Sequence, residues 1–455
     1  MGPCDAHLPG WRPYRGAVMS PYVQPPRAAR VAVSILFCTN GALLASFLPR
    51  LPAVKAELGL SNAALGAGIA FGPVGALLAS TIASWLVARV GSGRLAVTAS
   101  VAYGLTLPVI GLAPVWIAFA GAVFLLGFCD GAADVAQNAH GLRVQRKYGR
   151  SLINGFHAWW SIGGVIGGLS AAAAAALEVP LTLHLAVAGG ILAAAAIVAG
   201  RWTLRGPDPE ADEHLPASDV VTSGEIVTPG GRGPDGRAAD AQLTAVDSPL
   251  TAAGAPASDP VALAARHRRS PLLTLAGIAG VTLLAAVVED VPGSWGAVYL
   301  REALSASAGL AGLAFAAFTA GMTAGRLVAD RAVDRWGHVA VVRTGGAVAA
   351  LGLSGGLVIG TPWAGLAAFL LVGLGASPTF PALFHAAGHR PGVRPADGVA
   401  LVSWGARAGF LIAPPLVGLV ADAISLTWAV GIGVLAALAV VAGASTLRPR
   451  DGSRG

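Results

Sequence analysis

Long apolar runs separated by short charged segments recur along the whole chain. The uncharged runs are 31–49, 58–88, 95–129, 151–177, 179–200, 270–288, 303–325, 344–389 and 423–447, and the run 398–421 is interrupted only by Arg407. A helix that crosses a bilayer needs about 20 largely apolar residues. The runs 95–129 and 344–389 are long enough for two helices each. The turn formers Gly111-Leu-Ala-Pro114 and Gly360-Thr-Pro362 divide them. The pattern therefore predicts twelve membrane helices, six before residue 201 and six after residue 270.

The polar segments between the runs predict the topology. With the N-terminus inside, 25 Lys and Arg residues fall on the inner side, and only Arg50, Lys55 and Arg301 on the outer side. Arg326 and Arg407 fall within spans. This is the asymmetry of the positive-inside rule, which predicts a multi-pass protein of the cell membrane with both termini cytoplasmic. Residues 1–28 lack a signal-peptide core and are expected to be a cytoplasmic tail, with 448–455 as a second tail. The stretch 206–260 holds ten acidic and two basic residues and no apolar periodicity. Residues 206–265 are therefore expected to be a disordered cytoplasmic linker between helical bundles at 29–205 and 266–447.

Composition narrows the function class. The chain is 55% hydrophobic and 12% charged, with mean hydropathy +0.68. Soluble globular proteins carry about 25% charged residues, so an ordinary soluble enzyme is excluded. The formal charge of +7 is accounted for by the loop asymmetry, and no nucleic-acid partner is expected. Cys4, Cys38 and Cys129 are too scattered for a disulfide framework or a zinc site. Neither lysine, Lys55 nor Lys147, lies in a Walker motif, and no His-Glu-x-x-His occurs. His385 and His389 are four apart, with no acid between them. No enzymatic activity, cofactor or metal is expected.

The two halves match at an offset of 246. Leu58, Ser61, Gly66, Gly75, Arg89 and Gly91 recur as Leu304, Ser307, Gly312, Gly321, Arg335 and Gly337. Parallel six-helix repeats place a solute cavity at the midplane between halves, and rocking of the halves gives alternating access.

These features resemble the major facilitator superfamily, over about 31–205 and 266–447. The superfamily's loop motif is roughly Gly-x-Leu-x-Asp-Arg-x-Gly-Arg. Here the first copy reads Ser84-Trp-Leu-Val-Ala88-Arg89-Val-Gly91-Ser-Gly-Arg94, without the Asp. The second copy, Asp330-Arg-Ala-Val-Asp334-Arg335-Trp-Gly337, keeps it. Arg89, Gly91, Asp330, Asp334, Arg335 and Gly337 are thus motif residues, and the implied interhelix charge lock lacks its acid in the first half. Gly127-Phe-Cys-Asp130-Gly-Ala-Ala-Asp134-Val-Ala-Gln137-Asn138 and Phe156-His157-Ala-Trp159-Trp160-Ser161 are similar to the fucose-permease-like branch of bacterial facilitators. The resemblance implies an all-α membrane protein of twelve helices in two pseudo-symmetric six-helix bundles. That branch also implies a first-helix acid, and the run 31–49 has none.

A charge inside a span is expensive and is by default a functional candidate. Asp130 and Asp134 are four apart, so they share a face of the fourth helix. Gln137 and Asn138 extend that face. Two carboxylates so close in a low dielectric disfavour joint ionisation, which suits reversible protonation. The competing reading is that this stripe only braces the helix end. Glu289 and Asp290 end the seventh span before Pro292 and Gly293, which break a helix beside a cavity or at the membrane surface. His157 is a candidate proton relay, against a packing role. The proton-coupling candidates are therefore Asp134, Asp130, Glu289, Asp290 and His157.

The solute candidates are Asn40, Gln137, Asn138, Trp160, Trp295, Tyr299, Arg326 and Arg407. Trp295 and Tyr299 are expected either to stack on a sugar-like ring or to lie at the membrane interface. Arg326 either pairs with Asp330 one turn away or reaches across the cavity to Asp134 or Glu289. Arg407 either binds an anionic or hydroxyl-rich solute or snorkels to the surface.

The expected function is a proton-coupled secondary transporter of a small polar, sugar-like solute. The alternatives are a proton-driven exporter of amphipathic compounds and a non-transporting membrane sensor. Expected partners are a small-molecule solute, a proton and the lipid bilayer, with the chain as a monomer.

Overall fold

The computed structural model describes residues 27–150, 152–206, 260–390 and 393–448. Residues 1–26 of the expected N-terminal tail, 207–259 of the expected linker and 449–455 of the expected C-terminal tail lie outside the described residues, while 27–28 and 260–265 are helical. Every regular element among the described residues is helical. The first half contains α1 (Arg27–Phe47), α2 (Asn62–Val90), α3 (Ser92–Gly111), α4 (Trp116–Tyr148), α5 (Ile153–Ala176) and α6 (Leu181–Gly200). A short helix, Leu51–Leu58, joins α1 to α2.

The second half opens with α7 (Pro260–Asp290), which continues through wide π turns at Val291–Trp295 and Tyr299–Ala303. The helix Ala308–Ile359 then runs for 52 residues, about 78 Å at 1.5 Å per residue and far more than one bilayer crossing. It breaks at Gly337, where φ is +76° and ψ 160°. The break makes two spans, α8 (308–336) and α9 (338–359). Helices α10 (Pro362–Ala376, continued by Thr379–Gly388), α11 (Pro395–Ala423) and α12 (Leu426–Gly443) complete the bundle. Eleven continuous helical stretches are long and apolar enough to cross a membrane. Counting the kinked one twice gives the expected twelve.

The 246-residue repeat extends through the tertiary structure. Asn62 and Ala308 open equivalent helices, as do Trp116 and Pro362. Ser61 and Ser307 both cap their helices, accepting from the backbone N–H of Ala64 and Leu310 at 3.1 and 3.3 Å. Gly91 and Gly337 share a positive φ, +89° and +76°, at the turn into the third helix of each half. A side chain is disfavoured in that conformation.

Large apolar residues point outward on α3, α6, α9 and α12, among them Leu105, Ile191, Leu351 and Leu435. That is the surface expected of helices facing lipid, where every backbone group bonds within its own helix. The other helices meet around the seam between halves, where α2 packs on α11 and α5 on α8. Within the first half, α1 lies so close to α5 that a Cβ on Gly163 would overlap the Cys38 carbonyl. Small residues permit such close helix contact in membranes. Gly163→Val should therefore force α1 and α5 apart and destabilise the fold, typically by about 1–3 kcal/mol for overpacking. The measure is a melting temperature in detergent at least several degrees below that of the unaltered protein, and an unchanged value would refute the close-packing account.

Candidate functional site

Three helices of the first half converge on one polar cluster. The Asn40 side chain on α1 donates to Asp130 on α4 at 2.8 Å. Its carbonyl accepts from the Trp160 indole on α5, also at 2.8 Å. Asn40 thus relays between two expected site residues and occupies the region where an acid was expected. One turn along α4, the Asp134 carboxylate accepts from the Asn138 amide at 2.9 Å. Asp134 is solvent-exposed although it lies inside a span, and His157 is exposed beside it on α5. The two are within electrostatic reach of one another, and Asp134 also feels Arg407. The edge of the His157 ring meets Phe37, with centroids 5.2 Å apart. Gln137 is fully buried, so the polar stripe of α4 does not present all four members to the seam.

The second half contributes the cations. The Arg326 guanidinium on α8 is exposed and donates to the Ser161 hydroxyl on α5 at 3.0 Å. Arg407 on α11 donates to the Ser80 hydroxyl on α2 at 2.9 Å. Both bonds cross the seam. The expected Arg326–Asp330 ion pair is not formed among the described residues. Arg326 turns to the opposite half, within electrostatic reach of Glu289 and His157. Arg407 does not snorkel to the surface, because Ser80 holds it in the seam.

Several expectations are corrected by packing. Trp295 and Tyr299 are neither stacking platforms nor interfacial anchors. They are fully buried, and Tyr299 meets the edge of Phe369 at 6.4 Å. The wide turns after α7 rotate them into the core. Asp290 is also buried, accepting from the Ser294 hydroxyl at 2.8 Å. Glu289 is half-buried and borders a water-sized void of about 10 Å³ among Ala285, Gly346, Gly375 and Ala437, inside the second half. Neither α7 acid reaches the Asp134 cluster through a hydrogen bond. The motif cations stack on tryptophans, Arg89 over Trp85 at 4.7 Å and Arg335 over Trp336 at 5.8 Å. Among the described residues Asp330 and Asp334 form no ion pair.

Asp134, His157 and Arg326 are exposed, and they lie toward the ends of their helices at Tyr148, Ile153 and residue 336. The opposite end is sealed. Lys55 bridges Asn62 at 2.6 Å and Glu302 at 2.5 Å, joining the halves. Asp422, at the last turn of α11, accepts from the Asn62 and Ala63 amides at 3.0 and 2.8 Å and from the Asn62 side chain at 2.9 Å. Ser80, Ser161 and Asp422 did not stand out among the apolar residues of their helices, although the 246 offset already linked Ser80 to Arg326 and Ser161 to Arg407.

A closed end, an open end and a charged seam between duplicated bundles are what alternating access requires. The family model of the Major Facilitator Superfamily matches residues 33–292 and 278–454. The chain belongs to the major facilitator superfamily. It is 29% identical over 423 residues to an uncharacterized MFS-type transporter of Yersinia pestis, covering 93% of this chain and 96% of that one. It is 26% identical over 414 residues to the membrane protein MosC of Rhizobium meliloti, covering 90% and 89%. The nucleoside transporter NupG superposes with a TM-score of 0.64 at 13% identity, covering 92% of this chain and 98% of the other. FucP in its outward conformation superposes with a TM-score of 0.57 at 16% identity, covering 94% and 99%. This facilitator is therefore a multi-pass membrane transporter with the superfamily's twelve-helix fold.

Proposed function

We propose that this facilitator is a secondary active transporter that couples the movement of a small polar solute to protons by alternating access. The loop charges favour cytoplasmic termini, and in that topology the end that carries Asp134, His157 and Arg326 faces inward. The observation that carries the reading is Asp134, an ionisable side chain inside a span, exposed to the seam and set between His157 and Arg407. A carboxyl group there gains or loses its proton through solvent from whichever side the seam opens. Its charge acts on groups of both halves, so protonation changes how they attract one another. Asn40, Asn138, Trp160 and the two seam arginines offer donors and acceptors to a polar solute.

The test is flux in proteoliposomes that contain only this protein. A pH gradient, imposed across the membrane, should drive accumulation of a polar solute from a panel of sugars, nucleosides and carboxylates. Addition of a protonophore should abolish it. Protonophore-insensitive flux would overturn the coupling, and export of amphipathic dyes against the same gradient would favour the exporter.

A further inference from the structure

The two seam arginines are related by the internal repeat in an informative way. Residue 80 of the first half corresponds to 326 of the second, and 161 corresponds to 407. The two-fold operation that exchanges the halves therefore sends the Ser161–Arg326 bond onto the Arg407–Ser80 bond. In both bonds the first half supplies serine and the second half supplies arginine. The result is a polarised seam, with Asp130 and Asp134 on one side and Arg326 and Arg407 on the other. Arg326 lies within electrostatic reach of His157, His157 of Asp134, and Asp134 of Arg407, so the two cations are linked through the same titratable pair.

A latch between two helices needs no charge. Serine or asparagine at positions 326 and 407 would join the halves without the cost of placing a cation inside the membrane. A guanidinium offers five N–H donors in a planar fork that matches carboxylate and phosphate oxygens. Among the described residues each of these guanidiniums donates one hydrogen bond, to a neutral hydroxyl, and neither lies within ion-pair distance of a carboxylate. Glu289 and Asp134 act on these cations only at longer range, so among the described residues the remaining donors make no ion pair, and Arg326 is open to solvent.

We propose that Arg326 and Arg407 form a two-armed clasp for an anionic group on the cargo, a carboxylate or a phosphate, and that Ser161 and Ser80 hold the arms until its oxygens displace them. The cargo is thereby a small organic anion. The inference rests on the transport reading above and names its substrate class. It also gives cargo a mechanical role. The bonds to the hydroxyls that the anion displaces join the two halves, so binding exchanges inter-half bonds for cargo bonds and frees the seam to rock.

Binding to the purified full chain in lipid nanodiscs tests this, read by intrinsic tryptophan fluorescence and thermal shift. The probes are matched sets: glucose, glucuronate and glucose 6-phosphate; ethanol and acetate; benzyl alcohol and benzoate; and inorganic phosphate alone. In at least one set the anion should bind tenfold or more tightly than its neutral counterpart. R326Q and R407Q should each erase that preference. R326K and R407K guard against misfolding, and should keep a weakened preference because they retain charge without the fork. Equal binding of neutral and anionic members, no anion binding in any set, or a full preference surviving in both Gln variants would overturn the clasp. Because binding is read without a gradient, an anion preference without proton-driven flux would overturn only the transport reading. Proton-driven flux of neutral solutes without an anion preference would overturn only the clasp.

Discussion

Asp134→Asn should abolish pH-driven accumulation while leaving downhill exchange of the same solute within about threefold. The substitution preserves shape and keeps a partner for the Asn138 amide, which donates to Asp134 at 2.9 Å. It removes the titratable group that faces the seam. One charge crossing 100 mV is worth about 2.3 kcal/mol, or roughly 50-fold accumulation at about 1.4 kcal/mol per factor of ten. That driving force should vanish, whereas binding and rocking need only the remaining polar groups. The comparison is initial uptake under an imposed pH gradient against counterflow in equilibrated vesicles. Gradient-driven accumulation that survives the substitution would remove Asp134 from the coupling path.

The second large effect is conformational. Asp422→Ala should open the sealed end. Asp422 sits at the end of α11 and accepts from the first two amides of α2, in the opposite half, at 3.0 and 2.8 Å. Those amides lack partners within their own helix, and the start of a helix favours negative charge. One carboxylate thus caps a helix of the other bundle. Hydrogen bonds to charged groups contribute about 1.5–3 kcal/mol each when sheltered. Asp422 is exposed, so the expected net loss is about 1.4 kcal/mol, which corresponds to a tenfold change in the population of the two states. The Lys55–Glu302 contact remains and keeps the loss partial. Spin labels at Leu177 and Ile424, at the sealed ends of α5 and α11, should show the separated distance rising about tenfold in population. An unchanged distance distribution would mean that the cap does not hold this end closed.

The groups that matter in these experiments were unequally visible in the sequence. Asp130, Asp134, Arg326 and Arg407 stood out because each interrupts an apolar run, and charge inside a bilayer is rare enough to be noticed. Asn40 was visible as a neutral polar residue, but not as the bridge from Asp130 to Trp160. Ser80 and Ser161 carry only the weak signal of the 246 offset, since a serine in a membrane helix can be satisfied by its own backbone. The burial of Trp295 and Tyr299 is not legible in the sequence, because Pro292 and Gly293 mark an interruption without revealing its rotation. Pro292, Gly293 and Trp295 lie within the first wide π turn, and Tyr299 opens the second. Spacing along the helix offers Arg326 both Asp330 and a partner across the cavity, and its acceptor is Ser161, 165 residues away.

From the chain alone came the number of spans, the duplication and the residues whose charge is costly in a membrane. Each follows from local hydrophobicity and from comparing the chain with itself, because the bilayer imposes the same length and polarity on every span. Only the tertiary structure decided which of those charges face water, which are packed away, and which end of the seam is shut. Those outcomes depend on helix rotation and on the placement of one bundle against the other. Both are set by side-chain packing and by hydrogen bonds between residues far apart in the chain.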